Sequence, residues 1–366
     1  MLPKLALSML RLFATGAIYA TQVQELAHAA WVDGWGRGNR LAQKLAHAGH
    51  AGKFKGNVYR EVMAAAKQAL RMKTDVQPYK FKVRGVDEST IETFMFLPHE
   101  VLNSVASGTT LDQLCLSRDE VDAEEGLGVL LRRWAQDPAV NCDGVDLTTV
   151  AILGCHADGV QYATSIRPGD GKSVIVASYN IISAQTTPLR SERRLAFVLQ
   201  KSRLCNCGCR GYCTFQDVFA VMSWSFQCLS TGLAPSVRHD GAPFSEDDRR
   251  SRLPARSQIP RGALLQVRGD WEFFSTALDL RSASCNTFCF LCEATKHGDC
   301  GYKDFTPEAA HRQTLKSHDS YLVTCVHEGT NPSTIFQSPG TRLMHLTIDS
   351  MHAADLGVMQ DLPHHL

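Results

Sequence analysis

The 366-residue chain carries almost no net charge: 38 lysines and arginines oppose 37 aspartates and glutamates. That balance excludes a globally basic nucleic-acid binder and confines any basic surface to a local patch. A membrane-spanning run is also missing. The most suggestive stretch, Met1 to Ala20, is interrupted by Arg11, and a spanning helix needs about 20 consecutive apolar residues. No periodic repeat is evident. A phosphate-binding loop is excluded too: Asp170-Gly171-Lys172-Ser173 has the end of one, but Ile166 stands where its first glycine is required.

What is abundant is cysteine. There are thirteen, an odd number, and eight fall in two tight groups, Cys205 to Cys213 and Cys285 to Cys300. Such grouping fits metal sites in a reducing compartment better than a secreted disulfide framework. Within the second group, Cys285, Cys289, Cys292 and Cys300 with His297 give C-x3-C-x2-C-x4-H-x2-C. Zinc takes four N or S ligands in a tetrahedron, and the Cys289–Cys292 pair is a common half-site, so this is the favoured zinc site. The alternative is free thiols among Phe288, Phe290 and Leu291. Cys205, Cys207, Cys209 and Cys213 are denser. An alternating C-x-C-x-C cannot put three thiolates on one face of a strand unless Gly208 and Gly211 bend it. They form either a second zinc site, with Cys228 as a further ligand, or a buried turn of inert thiols.

Length allows two domains and a sizeable core. Residues 1–140 read as mainly helical. Val23 to Trp31, Arg40 to Ala48 and Val58 to Met72 have helix formers and i, i+3/i+4 apolar spacing, separated by Gly34–Gly38 and Gly49–Gly52. Pro98 to Val105 and Ser117 to Trp134 read as short helices, and Tyr79 to Val83 as a strand. The acidic run from Asp119 to Glu125 suits a helix start. At the N-terminus, Lys4, an apolar stretch and a small-residue end resemble a signal or mitochondrial presequence. The alternative is an amphipathic core helix with Leu5, Met9, Leu12 and Phe13 on one face.

Residues 141–280 differ in character. The runs 148–157, 173–182, 194–200 and 263–267 read as strands. Between the third and fourth, Phe215, Val218, Phe219, Met222, Phe226 and Leu229 repeat at helical spacing, with Gly232 as a C-cap. Strand, strand, strand, helix, strand is the ribonuclease-H-like order. In it the first and fourth strands are parallel neighbours, so Asp158 and Asp270, read at their ends, converge. Carboxylates so placed hold Mg²⁺ or Mn²⁺ for phosphodiester chemistry; alternatively, each Asp starts a turn. His156 shares a strand face with Asp158 and reads as a supporting or core histidine. Asp349 either caps a helix beginning at Ser350 and Met351, after a short strand at 343–348, or lies near a metal with His352. Residues 238–261 read either as an exposed loop or as a phosphate-contacting arm through Arg249, Arg250, Arg252 and Arg256, with Arg193 and Arg194 as further contacts.

The strings HADGV, LCNCGCRGYCTFQDVFAVMSWSF, SVRHDG, RGDWEFF and IDSMHAADLGVMQ, in that order, resemble plavaka-like transposon-derived proteins, especially a dinoflagellate-type group, over roughly residues 20–366. The resemblance implies a DDE/DDD-type transposase with a ribonuclease-H-like α/β core (141–280), a helical N-terminal region (1–140), a cysteine-rich insertion (281–330) and a strand-helix segment (331–366). It implies DNA as partner and a nuclear location, with the mitochondrial presequence as the alternative. Asp158 becomes the first catalytic acid and Asp270 the second. A third acid is needed; Asp349 is the candidate here, or the acid lies beyond Leu366 in a copy incomplete at its C-terminus. The expectation is a remnant that holds divalent metal poorly and does not cut DNA alone. The other reading is a non-catalytic zinc-bearing DNA- or protein-interaction module.

Overall fold

A computed structural model of the chain describes residues 3–14, 18–34, 38–69, 76–163, 172–254 and 256–349. The expected helix after Ser350, with His352, lies outside them, as does Gly171. The chain divides into two units, Met1–Asp75 and Val76–Leu366, so the boundary falls well before residue 140.

The first unit is helical: α1 (Pro3–Ala14), α2 (Ala20–Val32), α3 (Arg40–Ala46) and α4 (Lys55–Ala69). Leu10, Val23, Leu45, Val58 and Val62 form its core. Asn39 starts α3 by accepting the Ala42 amide hydrogen at 3.0 Å, satisfying a donor that has no partner within the helix. The buried stripe of α1 is Ala6, Met9 and Leu10, with Phe13 partly buried. Leu5 and Leu12, placed on that face by periodicity, are nearly half exposed. The face is rotated by about one residue because the bundle, not the helix, chooses which side it covers.

The second unit is mixed α/β. Its seven-stranded sheet has the order β1-β2-β5-β4-β3-β6-β7, with β1 (Tyr79–Arg84), β2 (Thr90–Met95), β3 (Val150–Ala163), β4 (Lys172–Ile181), β5 (Arg194–Gln200), β6 (Arg261–Gly269) and β7 (Leu346–Ile348). β3, β4 and β5 form an antiparallel meander. β6 lies parallel to β3, and β7 parallel to β6. The adjacency of the strands at 148–157 and 263–267 is thus as their order predicts. The strand at 79–83 was legible. Its partner β2 was not, because TIETFM breaks the polar–apolar alternation of a half-buried strand: Thr93 is buried and Phe94 half exposed.

One face of the sheet is covered by the helix α7 (Tyr212–Thr231), after α5 (Pro98–Ala106) and α6 (Leu127–Ala135). Phe215, Val218, Phe219, Met222, Phe226 and Leu229 are all 0–1% exposed. They meet Ala151, Leu153, Cys155 and Ala157, the odd residues of β3. Each such ring or aliphatic side chain contributes roughly 1.5–3 kcal/mol on burial. Gly232 ends the helix at φ 70°, as its position suggests. The even residues Val150 and Ile152 face the other way, under Leu131 and Trp134 of α6. Further along that face the series becomes Gly154, His156 and Asp158, where apolar cover gives way to polar neighbours. Ser117 and Glu120 form a capping box, so the acidic run there is a helix start.

Candidate functional site

β3 does not end at Asp158. It continues to Ala163, and Asp158 pairs with Val176 of β4. Asp270 does follow the end of β6, where it caps α8 (Trp271–Ala277): its Oδ1 accepts the Phe273 amide hydrogen at 2.6 Å. The last β3–β6 pair is His156 with Arg268. Two residues on, along parallel strands about 4.8 Å apart, Asp158 comes level with Asp270. Gly269 is paired with Ile348, and the Asp349 amide donates to the Gly269 carbonyl at 3.0 Å. Three aspartates therefore stand at one level on β3, just past β6 and just past β7.

Two of the three share a cleft. Asp158 and Asp270 line a cavity of about 630 Å³ with Lys201, Arg210, Glu272 and Phe215. Lys201 Nζ lies 3.0 Å from Glu272 Oε1. Asp349 is not in that lining; its Oδ2 is 3.6 Å from His156 Nε2. Burial, with Arg193 next in importance, lowers the pKa of His156, while Asp349 and Asp158 oppose the shift. A neutral ring is thus favoured beside two guanidinium groups. Arg268 donates to Asn180 Oδ1 at 3.3 Å on the same side. His156 thus stands beside Asp349 and also feels the charge of Asp158.

The thiols rearrange the sequence expectation. Cys205, Cys207, Cys209 and Cys213 have sulfurs all within 4.8 Å of one another, and Cys207 Sγ is 3.8 Å from Cys213 Sγ. The chain is not a strand there. Gly208, Arg210 and Gly211 take φ of 95°, 51° and 96°, a left-handed curl that folds the thiols inward. Both ends are held. The Cys205 amide donates to Thr214 Oγ1 at 2.8 Å, Thr214 Oγ1 donates to the Arg84 carbonyl at 2.6 Å, and Arg84 pairs with Asp217 at 2.7 Å. Burial opposes ionisation of Cys209, but donors from Cys213, Cys207 and Gly211 bring its pKa down to about 7. Burial and the neighbouring thiols push Cys213 up to about 12. Such a group can hold a metal ion. Cys228 cannot join it: it sits fifteen residues beyond Cys213 on the same helix, about 22 Å along the axis. Cys205 and Arg210 also line the aspartate cleft, so the thiol cluster is one of its walls.

Cys285, Cys289, Cys292, His297 and Cys300 do not gather into a comparable group among the described residues. Cys285 is exposed and Cys292 buried. The segment is held instead by aromatic packing and turns. Trp271 lies 5.5 Å from Phe288 and 5.8 Å from Phe290, the Thr295 amide donates to the Cys300 carbonyl, and Lys296 donates to Asn286. Only the Cys289–Cys292 knuckle keeps its shape, with the Leu291 amide 3.4 Å from Cys289 Sγ.

The arginine arm is also revised. Arg250 is 6% exposed. It pairs with Glu100 at 2.6 Å and Asp248 at 3.3 Å and donates to the Gln77 carbonyl. Arg249 also reaches Glu100, at 3.3 Å. Both hold the 238–261 segment to α5, because Glu100 there offers a largely covered carboxylate within reach of two guanidiniums. Arg252, Arg256 and Arg193 are exposed, whereas Arg194 is paired with Glu192. The cations that do face the carboxylate cleft, Lys201 and Arg210, went unnoticed in the sequence. Lys201 follows β5 and Arg210 lies within the cysteine run, positions that composition does not mark.

Comparison with protein-family models, curated proteins and solved structures returns no match for this chain.

Proposed function

We propose that the sheet-bearing unit is a ribonuclease-H-like core of the DDE/DDD transposase type, built for metal-dependent phosphodiester chemistry on DNA. The observation that carries this reading is the common level of Asp158 on β3, Asp270 just past β6 and Asp349 just past β7, three adjacent parallel strands. An antiparallel meander, a covering helix and two further parallel strands are the order such cores use. The donor set, carboxylate oxygens only, fits a hard cation such as Mg²⁺ or Mn²⁺. That cation supplies charge neutralisation and an activated oxygen nucleophile when bound. Asp158 and the free oxygen of Asp270 would hold it. Lys201 and Arg210 orient the phosphates, and His156 positions Asp349. With Asp349 turned to His156, two carboxylates serve the cleft, so cation binding is weak and any nicking slow. Manganese titration of the full chain, with supercoiled plasmid as substrate, tests this. Binding lost in both Asp158→Ala and Asp270→Ala supports the reading; binding unchanged in both removes it.

The thiol cluster supports zinc. A tetrahedron with Zn–S near 2.3 Å has S–S edges of about 3.8 Å, matching the Cys207–Cys213 spacing of 3.8 Å. Its role is structural, tying the end of β5 to the start of α7. A second reading, a non-catalytic zinc-bearing interaction module, draws on the same cluster. It requires zinc retention with no dependence of manganese binding on Asp158.

A further inference from the structure

The charge balance of the whole chain conceals a division. Residues 1–75 carry eleven lysines and arginines against four aspartates and glutamates, a net +7, which leaves −6 on residues 76–366. The division coincides with the boundary between the two units. Two of the four acids, Glu25 and Asp33, belong to α2 and its C-cap. A third, Glu61, accepts the Gly49 amide hydrogen at 3.1 Å. α1 and α3 carry basic residues and no acid.

Across the start of α4 the sequence is Lys53-Phe54-Lys55, then Tyr59-Arg60. The three cations are exposed, and so are the rings, Phe54 at 52% and Tyr59 at 56%. Lys55 and Tyr59 are four apart on the helix and share a face. Lys53 Nζ lies 5.9 Å from the Phe54 ring centre. Tyr59 keeps Phe13 as a ring neighbour at 6.0 Å and Phe54 keeps His50 at 6.2 Å, but each leaves about half of its surface open among cations. Phosphates neutralised by lysine and arginine, with bases stacked on aromatic faces, account for both.

We infer that the N-terminal helical unit docks on nucleic acid through Lys53, Phe54, Lys55, Tyr59 and Arg60. An anionic membrane would also attract the charge. It would need an apolar helix face to insert; Leu5 and Leu12 of α1 are half exposed, but beside the rings at the start of α4 the one aliphatic side chain, Val58, is buried. The inference needs neither Asp158 nor a divalent cation, so it stands or falls separately from the carboxylate cleft.

The test is fluorescence anisotropy of the full chain with a labelled single strand and a duplex of equal length, without added divalent metal. Replacing Lys53, Lys55 and Arg60 together by Gln should weaken both complexes about tenfold or more near 100 mM salt. It should also lower the salt slope by about two, since each lost phosphate contact removes about 0.7 to 0.9 from it. Phe54→Ala with Tyr59→Ala should weaken the single strand about tenfold and the duplex much less. Asp158→Ala should change neither. Unaltered far-UV circular dichroism and melting of the variants show that the bundle is intact. Unchanged affinity and slope in the triple variant would overturn the inference. Tighter binding to phosphatidylserine vesicles than to either oligonucleotide, lost in the triple variant, would overturn it in favour of a membrane.

Discussion

Residues 205–213 and 285–300 each contain four cysteines, yet only the first segment brings its sulfurs within 4.8 Å of one another. The difference lies in what holds the ends. Cys205 follows β5 and Cys213 lies in the first turn of α7, so the short curl between them is clamped by two regular elements and by the Arg84–Asp217 pair. The second segment has turns on both sides and is shaped by Trp271, Phe288 and Phe290. Clamped ends reduce the conformational entropy that metal binding would otherwise have to overcome. A dense cysteine run therefore becomes a site more readily at a strand–helix junction than in a free loop.

Removing a ligand is the strongest way to break that contrast. The full chain should retain one zinc, and Cys213→Ser or Cys207→Ser should abolish it, because structural zinc contributes about 10–16 kcal/mol shared among four ligands. Cys289→Ser should leave the stoichiometry unchanged by metal analysis. Zinc lost only with Cys289→Ser would move the site to the second segment.

The next largest effect concerns the helix that clamps the curl. Phe219 is 1% exposed and stacks on Phe215 at 5.8 Å, so Phe219→Ala should destabilise the unit by about 3–5 kcal/mol. Phe288→Ala, only partly buried beside the second segment, should cost about half as much or less. Denaturant titration followed by tryptophan fluorescence measures both, and equal losses would erase the contrast.

Acid probes the residues that follow the second segment. Burial brings His318 and His345 down to about 4, from the ordinary 6.5. Below pH 6.5 the unfolded chain takes up protons that the folded chain refuses. Stability is thus fully present above pH 6.5 and falls as pH drops towards about 4, by up to roughly 1.4 kcal/mol per pH unit for each group. His345→Gln should flatten that fall. A melting temperature constant between pH 6.5 and 4.5 would contradict it.

The smallest effect compares two glycines. Gly211 has φ 96° and Gly298 has φ 111°, so alanine at either should cost about 1–2 kcal/mol in backbone strain. Only Gly211→Ala, whose new Cβ would also lie 3.0 Å from Leu204 Cδ1, should weaken zinc retention against a chelator.

Periodicity carried much of the fold. The α7 stripe, its C-capping glycine and the apolar runs of β3 and β6 are visible because a helix covering a sheet demands regular apolar spacing. The rotation of α1 and the existence of β2 were not, since each depends on a partner that contributes no local signal. At the site, Asp158 and Asp270 stood out through the strands that carry them. Lys201 and Arg210 did not, because a lone cation after a strand or inside a cysteine run has no pattern of its own.

The amino-acid sequence by itself determined the covering helix, the apolar runs of the central strands and the net positive charge of the first 75 positions, all properties of local spacing and composition; the strand order followed from the succession of those elements. Only the tertiary structure decided which cysteines meet, that Arg250 is buried against Glu100, and that Asp349 faces His156 while Asp158 and Asp270 share a cleft. Those outcomes rest on contacts between residues far apart in the chain, where direction and distance are set by how the elements pack and not by the spacing of letters along one of them.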